Sequence, residues 1–238
     1  MKVVAIVPAA GESKRMGEKK EFLLLGDKPI LAHALKPLED HSQISEIILV
    51  VDEKSIEKCK REIIEKYDFK KIKEVIVGGE ERQDSVYNGL KKVTKDCDMV
   101  LIQDGARPFL TEDLITRSIE ETEKHEAAVV AVPCVDTIKF AQKEKDMTIE
   151  TLDREYLWMA QTPQTFRYEI ILEAYEKAEE ENFRGTDDAS LIERMGMPIK
   201  IVKGSYDNIK ITTPEDLILA EAILSKREEQ GLEGIRRD

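Results

Sequence analysis

The sequence predicts one α/β domain whose sheet is mixed but mostly parallel and is flanked by helices. Two observations carry that expectation. Short apolar runs suited to buried strands recur at Val3–Val7, Ile47–Val51, Val75–Val77, Met99–Ile102, Ala128–Val132 and Ile199–Val202. Helix-length amphipathic segments lie between them, and strands alternating with helices build parallel sheets covered on both faces. A chain of 238 residues can bury a large core in one such domain. The expected class is Rossmann-like over residues 1–225, with ligands bound at the carboxyl ends of the strands.

Each helical segment has a reason to form. Pro29–Glu39 sets Ile30, Leu31, Ala34, Leu35 and Leu38 on one face, and Thr111 can cap a helix bearing Leu114, Ile115, Ser118 and Ile119. Periodicity returns over Tyr168–Glu181 and Asp187–Met195, the latter stopped by Gly196. Thr213-Pro214-Glu215-Asp216 is a helix start, with Leu217, Ala220 and Leu224 as its buried face. Residues 226–238 form a charged tail expected to fray.

The stretch from about Asp136 to Asp153 breaks the rhythm. Asp136–Phe140 and Thr148–Leu152 are β-prone, and polar Gln142–Asp146 can turn between them, so a projecting hairpin arm is expected. Two strands alone are marginal in water. The arm should therefore rest on a second subunit, making a homodimer, or else fold back on its own domain.

Composition narrows the function. Hydrophobic residues make up 41% of the chain, yet no run approaches the roughly 18 to 20 apolar residues of a membrane span. No signal-peptide pattern opens the sequence, which points to the cytoplasm. With 37 basic against 49 acidic residues the formal charge is −12, which disfavours nucleic acid and anionic lipid as partners. Small molecules remain, with anionic ones handled by a few placed cations. Cys59, Cys97 and Cys134 lack any metal or disulfide spacing and read as buried thiols in a reducing compartment. His33, His41 and His125 are spaced neither for a metal nor for a nucleophilic triad.

The most telling stretch is Val3–Phe22. Its apolar strand ends in Pro8, Ala9, Ala10 and Gly11, small residues that let backbone amides approach phosphate oxygens. Arg15 and Lys20 then add full charges, one a planar fork and the other a mobile point charge. A Walker loop is excluded because Gly11 and Gly17 are one residue too far apart and Glu18 follows. A dinucleotide fingerprint is excluded because Ser13 and Met16 stand where glycines belong. The stretch reads as a loop for a nucleoside triphosphate, against the plainer alternative of a tight strand-to-helix turn with solvated cations.

A longer pattern then appears. The chain carries PAAGxxxRM at Pro8–Met16, KxFL from Lys20, GGxxRxxSV at Gly78–Val86, DGARP at Asp104–Pro108, PxxDTIK at Pro133–Lys139 and LDR at Leu152–Arg154. It ends with QTPQxF at Gln161–Phe166, TDDAS at Thr186–Ser190 and DNIKITxPEDL at Asp207–Leu217. In this order the motifs resemble the nucleotidyltransferases that activate sugars and alcohol phosphates. More closely, they are similar to the 2-C-methyl-D-erythritol 4-phosphate cytidylyltransferase family of the non-mevalonate isoprenoid pathway. Two departures stand out. Ser13 replaces a glycine of the family loop, and Lys19-Lys20-Glu21 replaces its usual Pro-Lys-Gln, with Lys20 keeping the spacing to Phe22.

The resemblance implies transfer of a cytidylyl group from CTP to a polyol phosphate, with release of pyrophosphate. It makes Arg15 and Lys20 the catalytic cations, and Pro8, Ala9, Ala10, Gly11, Gly79, Arg82 and Ser85 the nucleotide contacts. Arg82 can alternatively brace its loop. Asp104, with Asp207 as a second acid, would hold Mg²⁺ or another divalent cation; a turn-capping role is the plainer reading of Asp104. Arg154, Lys210, Thr137, Thr162 and Thr186 carry over as acceptor contacts, though β-propensity and helix capping would also account for the threonines. Arg154 and Thr137 flank the arm and would serve a neighbouring subunit. The rival readings are a ribitol 5-phosphate cytidylyltransferase and a non-catalytic nucleotide sensor.

Arg15→Ala and Lys20→Ala are expected to lower kcat far more than they weaken nucleotide binding, because they meet charge that develops in the transition state. Loss of one such donor costs on the order of 3 to 4 kcal/mol. Turnover measured beside the CTP dissociation constant checks this, and equal losses would mark simple anchoring.

Overall fold

A computed structural model describes residues 1–11, 19–142 and 147–235, with side chains through Glu229. The strands are β1 (Val3–Ala9), β2 (Leu24–Leu25), β3 (Lys28–Pro29), β4 (Ile44–Val51), β5 (Ile72–Val77), β6 (Met99–Ile102), β7 (Ala127–Pro133), β8 (Lys139–Gln142), β9 (Met147–Thr151), β10 (Trp158–Arg167) and β11 (Lys200–Lys203). The helices are α1 (Ile30–Asp40), α2 (Ile56–Cys59), α3 (Arg82–Leu90), α4 (Glu112–His125), α5 (Tyr168–Glu180), α6 (Ala189–Arg194) and α7 (Pro214–Ile235).

Seven strands form the main sheet in the order β11-β7-β10-β6-β1-β4-β5. All run parallel except β10, which lies antiparallel between β6 and β7. The fold is thus the expected mixed, mostly parallel sheet with helices on both faces. Alternation along β1 explains the layers. Val3, Ala5 and Val7 point into a core with Leu31, Leu35, Leu114 and Ile119 of α1 and α4. Val4 and Ile6 point into the opposite core with Val86, Leu90, Ile171 and Ile192 of α3, α5 and α6. A third, smaller cluster joins Ile30, Phe109 and Ile211 to Ala220 and Ile223 of α7.

Local signals set the helix ends. The Thr111 hydroxyl accepts from the Leu114 amide at 3.4 Å. Asp216 accepts from the Thr212 and Thr213 amides at 2.8 and 2.9 Å and so seats the start of α7. Gly196, with φ of +78°, follows α6. Burial pushes the Cys59 thiol up to about 12 and the Cys97 thiol up to about 11, and all three cysteines are buried and free.

Three features differ from the sequence reading. Strand β10 has no apolar run to announce it, since its sequence is WMAQTPQTFR. Its polar residues are satisfied by the helix that covers it: Ser118 of α4 pairs with Thr165 at 2.6 Å, and Thr122 of α4 donates to the Thr165 carbonyl at 3.1 Å. Helix α3 is also weakly amphipathic, and its first turn is fixed instead by Asp84 accepting from the Glu81 amide at 3.0 Å. The charged segment from residue 226, expected to fray, continues α7 to Ile235. Its first residues are docked, with Lys226 3.3 Å from Asp207 and Arg227 donating to the Phe109 carbonyl at 3.1 Å over the Phe109 ring.

The arm is present as β8 paired with β9 in a two-stranded sheet of its own. Phe140, Met147 and Ile149 are 55%, 64% and 62% exposed, so within this chain the arm does not pack back on its domain. Among the described residues no helix is long and apolar enough to cross a membrane.

Gly89 of α3 faces β1 so closely that a Cβ there would sit 2.7 Å from Cγ2 of buried Ile6. A helical Gly→Ala change normally stabilises by about 0.5–1 kcal/mol. Gly89→Ala should instead destabilise by about 1–3 kcal/mol through overpacking against a stiff β-branched neighbour, as read by urea denaturation.

Candidate active site

The carboxyl ends of β1, β5 and β6 face the same edge of the sheet, and the site is built there. Strand β1 delivers Pro8 and Ala9, then Ala10 and Gly11, to the rim of a cavity of about 400 Å³. The exit of β5 closes against it. A Cβ at Gly78 would lie 2.4 Å from the Ala10 Cβ, and one at Gly79 would lie 2.2 Å from the Asp84 Cβ. Only glycines allow these loops to close so tightly. The Ser85 hydroxyl holds the turn by accepting from the Gly79 amide at 3.1 Å and donating to the Glu81 carbonyl at 3.1 Å. Lys20 and buried Glu21 line the same cavity, together with Gly79, Arg82, Ser85, Asp104 and Lys210.

A second cavity of about 280 Å³ adjoins the first. Arg107, Gln161, Thr162, Gln164, Thr186 and Asp187 line it, and it shares Arg82, Asp104 and Lys210 with the first. The wall between the two cavities is therefore an ionic cluster. Asp104, following β6, is buried and lies between three cations. Arg82 donates from Nε to Oδ1 at 2.9 Å, Lys210 Nζ is 2.9 Å from Oδ2, and Arg107 Nε is 3.5 Å from Oδ2. Burial alone would raise the Asp104 pKa, but Arg82, Lys210 and Arg107 outweigh it and hold the carboxyl well below the usual range. Burial draws the Arg107 guanidinium the other way, downward, with Asp104 opposing.

A bulge in β10 shapes the second cavity. From Ala160 to Gln164 the strand takes four steps while β7 takes two, from Ala131 to Val129. The extra residues carry Thr162 to the site, next to a cis bond to Pro163. The Thr162 hydroxyl accepts from the Asp104 amide at 3.1 Å and donates to Gln103 at 2.9 Å. Gln164 reaches Asp187 at 2.8 Å and accepts from the Ala189 amide at 3.0 Å, tying the bulge to the start of α6.

A family model described as 2-C-methyl-D-erythritol 4-phosphate cytidylyltransferase matches residues 3–226. The chain belongs to this family. A relative of that name from Alkaliphilus metalliredigens is 50% identical over 230 residues, covering 96% of this chain and 95% of the relative. The crystal structure of a 4-diphosphocytidyl-2C-methyl-D-erythritol synthase from Anaerococcus prevotii superimposes with a TM-score of 0.84 at 35% identity, covering 94% of this chain and 96% of that one. The cytidylyltransferase from Thermus thermophilus superimposes with a TM-score of 0.77 at 30% identity, covering 93% and 98%.

Within this family frame, the structure brings together most of the residues read from the sequence. Pro8, Ala9, Ala10, Gly11, Lys20, Gly79 and Ser85 line the first cavity, Thr162 and Thr186 line the second, and Arg82, Asp104 and Lys210 line both. Arg15 and Ser13 lie outside the described residues. Lys19 pairs with Asp52 at 3.2 Å and does not line either cavity, whereas Lys20 lines the first. Arg82 spends all its described bonds on carboxylates, two to Asp188 and one to Asp104, which is a bracing geometry. Asp207 lines neither cavity and pairs with Lys226. Thr137 and Arg154 stand exposed at the base of the arm, with Arg154 donating to the Val135 carbonyl at 3.0 Å. Sequence reasoning left Arg107, Gln103 and Asp188 without roles, although DGARP and TDDAS had already marked two of these positions.

The acid behaviour of Asp104 has a definite sign. Its folded pKa lies below that of an unfolded aspartate, ~3.9, so its stabilisation is complete above that value and is lost as pH falls below it. Asp104→Asn should cost about 3–5 kcal/mol at neutral pH by stranding its cations. The variant should also lose less stability than the wild type between pH of about 6 and about 3, measured by urea denaturation at both.

Proposed function

We propose that the chain transfers the cytidylyl group of CTP to 2-C-methyl-D-erythritol 4-phosphate and releases pyrophosphate. One observation supports this most: two adjoining cavities share a wall of Arg82, Asp104 and Lys210, as a reaction joining two phosphorylated substrates requires. The larger cavity takes CTP, with the glycine-pinched loop at Gly79 and Ser85 against the base and ribose and the Pro8–Gly11 turn against the triphosphate. The smaller takes the acceptor, with Lys210 and Arg107 toward its phosphate and Thr162 and Thr186 beside its hydroxyls.

The acceptor phosphate has its second pKa near ~6 and is largely dianionic at neutral pH. It attacks the α-phosphorus in line with the departing pyrophosphate, and no general base is needed. The barrier is electrostatic, because two anions must meet while charge grows on the transferred group. Lys20 supplies positive charge in the first cavity and Lys210 at the shared wall, and the family resemblance gives Arg15 the same role.

The donor set suits a divalent ion held mainly by substrate. Among the described residues no group of three His, Cys, Asp or Glu side chains converges. Mg²⁺ is commonly held by one or two carboxylates plus substrate phosphates. Asp104 would serve as that carboxylate if the ion displaced one of the cations now on its oxygens, and Mg²⁺ there would neutralise phosphate oxygens. Asp207 enters only with a rearrangement of its pair with Lys226.

The exposed apolar arm is read as a dimer contact that carries Arg154 and Thr137 to the partner's acceptor cavity. The buried free thiols suit the cytoplasm. A nucleotide sensor would have no use for the second cavity, which counts against that reading.

Pyrophosphate release is expected only when CTP and methylerythritol phosphate are both present, in a screen of four nucleotides against several polyol phosphates. Preference for ribitol 5-phosphate would overturn the acceptor assignment. CTP binding without any acceptor-dependent release would overturn the enzyme assignment.

A further inference from the structure

Asp188, the second acid of the TDDAS motif, is fully buried and lines neither cavity. Three donors meet it: Arg82 Nη1 to Oδ1 at 3.0 Å, Arg82 Nη2 to Oδ2 at 2.7 Å, and the Tyr175 hydroxyl to Oδ1 at 2.5 Å. Tyr175 is itself 2% exposed and stacks on Tyr87 with centroids 5.7 Å apart. Of the donors not spent on Asp188, Nε is the one that reaches Asp104, at Oδ1. The opposite oxygen, Oδ2, faces Lys210 and Arg107.

This division of one guanidinium between two carboxylates has a consequence. A two-pronged arginine–carboxylate pair is the preferred geometry. With Asp188 in place, the end-on fork of Arg82, Nη1 and Nη2, is engaged away from the cavities. With Asp188 removed, the nearest carboxylate left for the fork is Asp104. Arg82 would then compete with Lys210 for Oδ2 at the wall between the substrates.

We propose that Asp188, steadied by Tyr175, is a positioning residue for the transfer reaction: it occupies the forked end of Arg82 and so confines Arg82 to a single oxygen of Asp104. The proposal rests on the cytidylyl transfer reading given above. Asp188 touches no substrate and acts only through Arg82.

The test uses the full chain with Tyr175→Phe, Asp188→Asn, Arg82→Gln and the double variant Arg82→Gln/Asp188→Asn. Tyr175→Phe keeps the buried ring and removes one hydrogen bond, so it serves should Asp188→Asn fail to fold. Per folded molecule, kcat should fall about tenfold in Tyr175→Phe and on the order of a hundredfold in Asp188→Asn, the scale of a misplacement near 1 Å. The KM for CTP should change little, because the backbone of the Gly79–Ser85 turn is held by the Ser85 hydroxyl and not by Asp188. The double variant should be no slower than its slower parent, as expected of residues acting as one unit. Wild-type kcat in Tyr175→Phe, or losses that multiply in the double variant, would overturn the proposal.

A crystal structure of Asp188→Asn, or of Tyr175→Phe in its place, separates this inference from the reaction it serves. Arg82 turned onto both oxygens of Asp104 supports positioning whatever the substrates prove to be. Arg82 unmoved, with one contact to Asp104, refutes it even in an active enzyme. A wild-type protein that transfers nothing refutes the reaction reading instead.

Discussion

A buried carboxylate surrounded by three cations is the constraint around which this molecule is arranged. Removing Asp104 from water is unfavourable, and it is tolerated because Arg82, Arg107 and Lys210 neutralise it at close range. Those four residues come from separate parts of the chain: the start of α3, the end of β6, the turn just after it, and the approach to α7. The cluster therefore draws three loops together at one edge of the sheet. Within the cluster itself two acids, Asp104 and Asp188, face the three bases, while Glu21, Glu80, Glu81 and Asp187 also line the cavities.

Much of the fold was legible because burial leaves a local trace. Strands of a parallel sheet covered on both faces read as unbroken apolar runs, and β1, β4, β6 and β7 are such runs. Strand β10 was not legible by that rule. It opposes its neighbours, carries the site's polar residues, and satisfies them by bonds such as Ser118 to Thr165 that no window of sequence displays. Helix α3 was missed for a related reason, since its outer face is held by side-chain bonds to the loop near Phe183 and Gly185.

The site divides in the same way. The loop after β1 could be read as a phosphate turn from small residues and nearby cations alone. Gly79, Asp104, Thr162 and Lys210 needed the family resemblance, because nothing local joins them. Arg82 and Asp188 are 106 residues apart, and their pairing exists only once the sheet has formed. A sequence pattern marks such positions without saying which atoms meet.

The bulge in β10 adds two residues, an even number, so the pleat keeps its alternation across it. Phe166 consequently still points into the core, fully buried, as though the bulge were absent. An odd insertion would turn every later side chain of the strand to the opposite face. The cavity-facing turn is in this sense a detachable module: evolution could lengthen or shorten it in pairs, reshaping the second cavity while the hydrophobic interior kept its register.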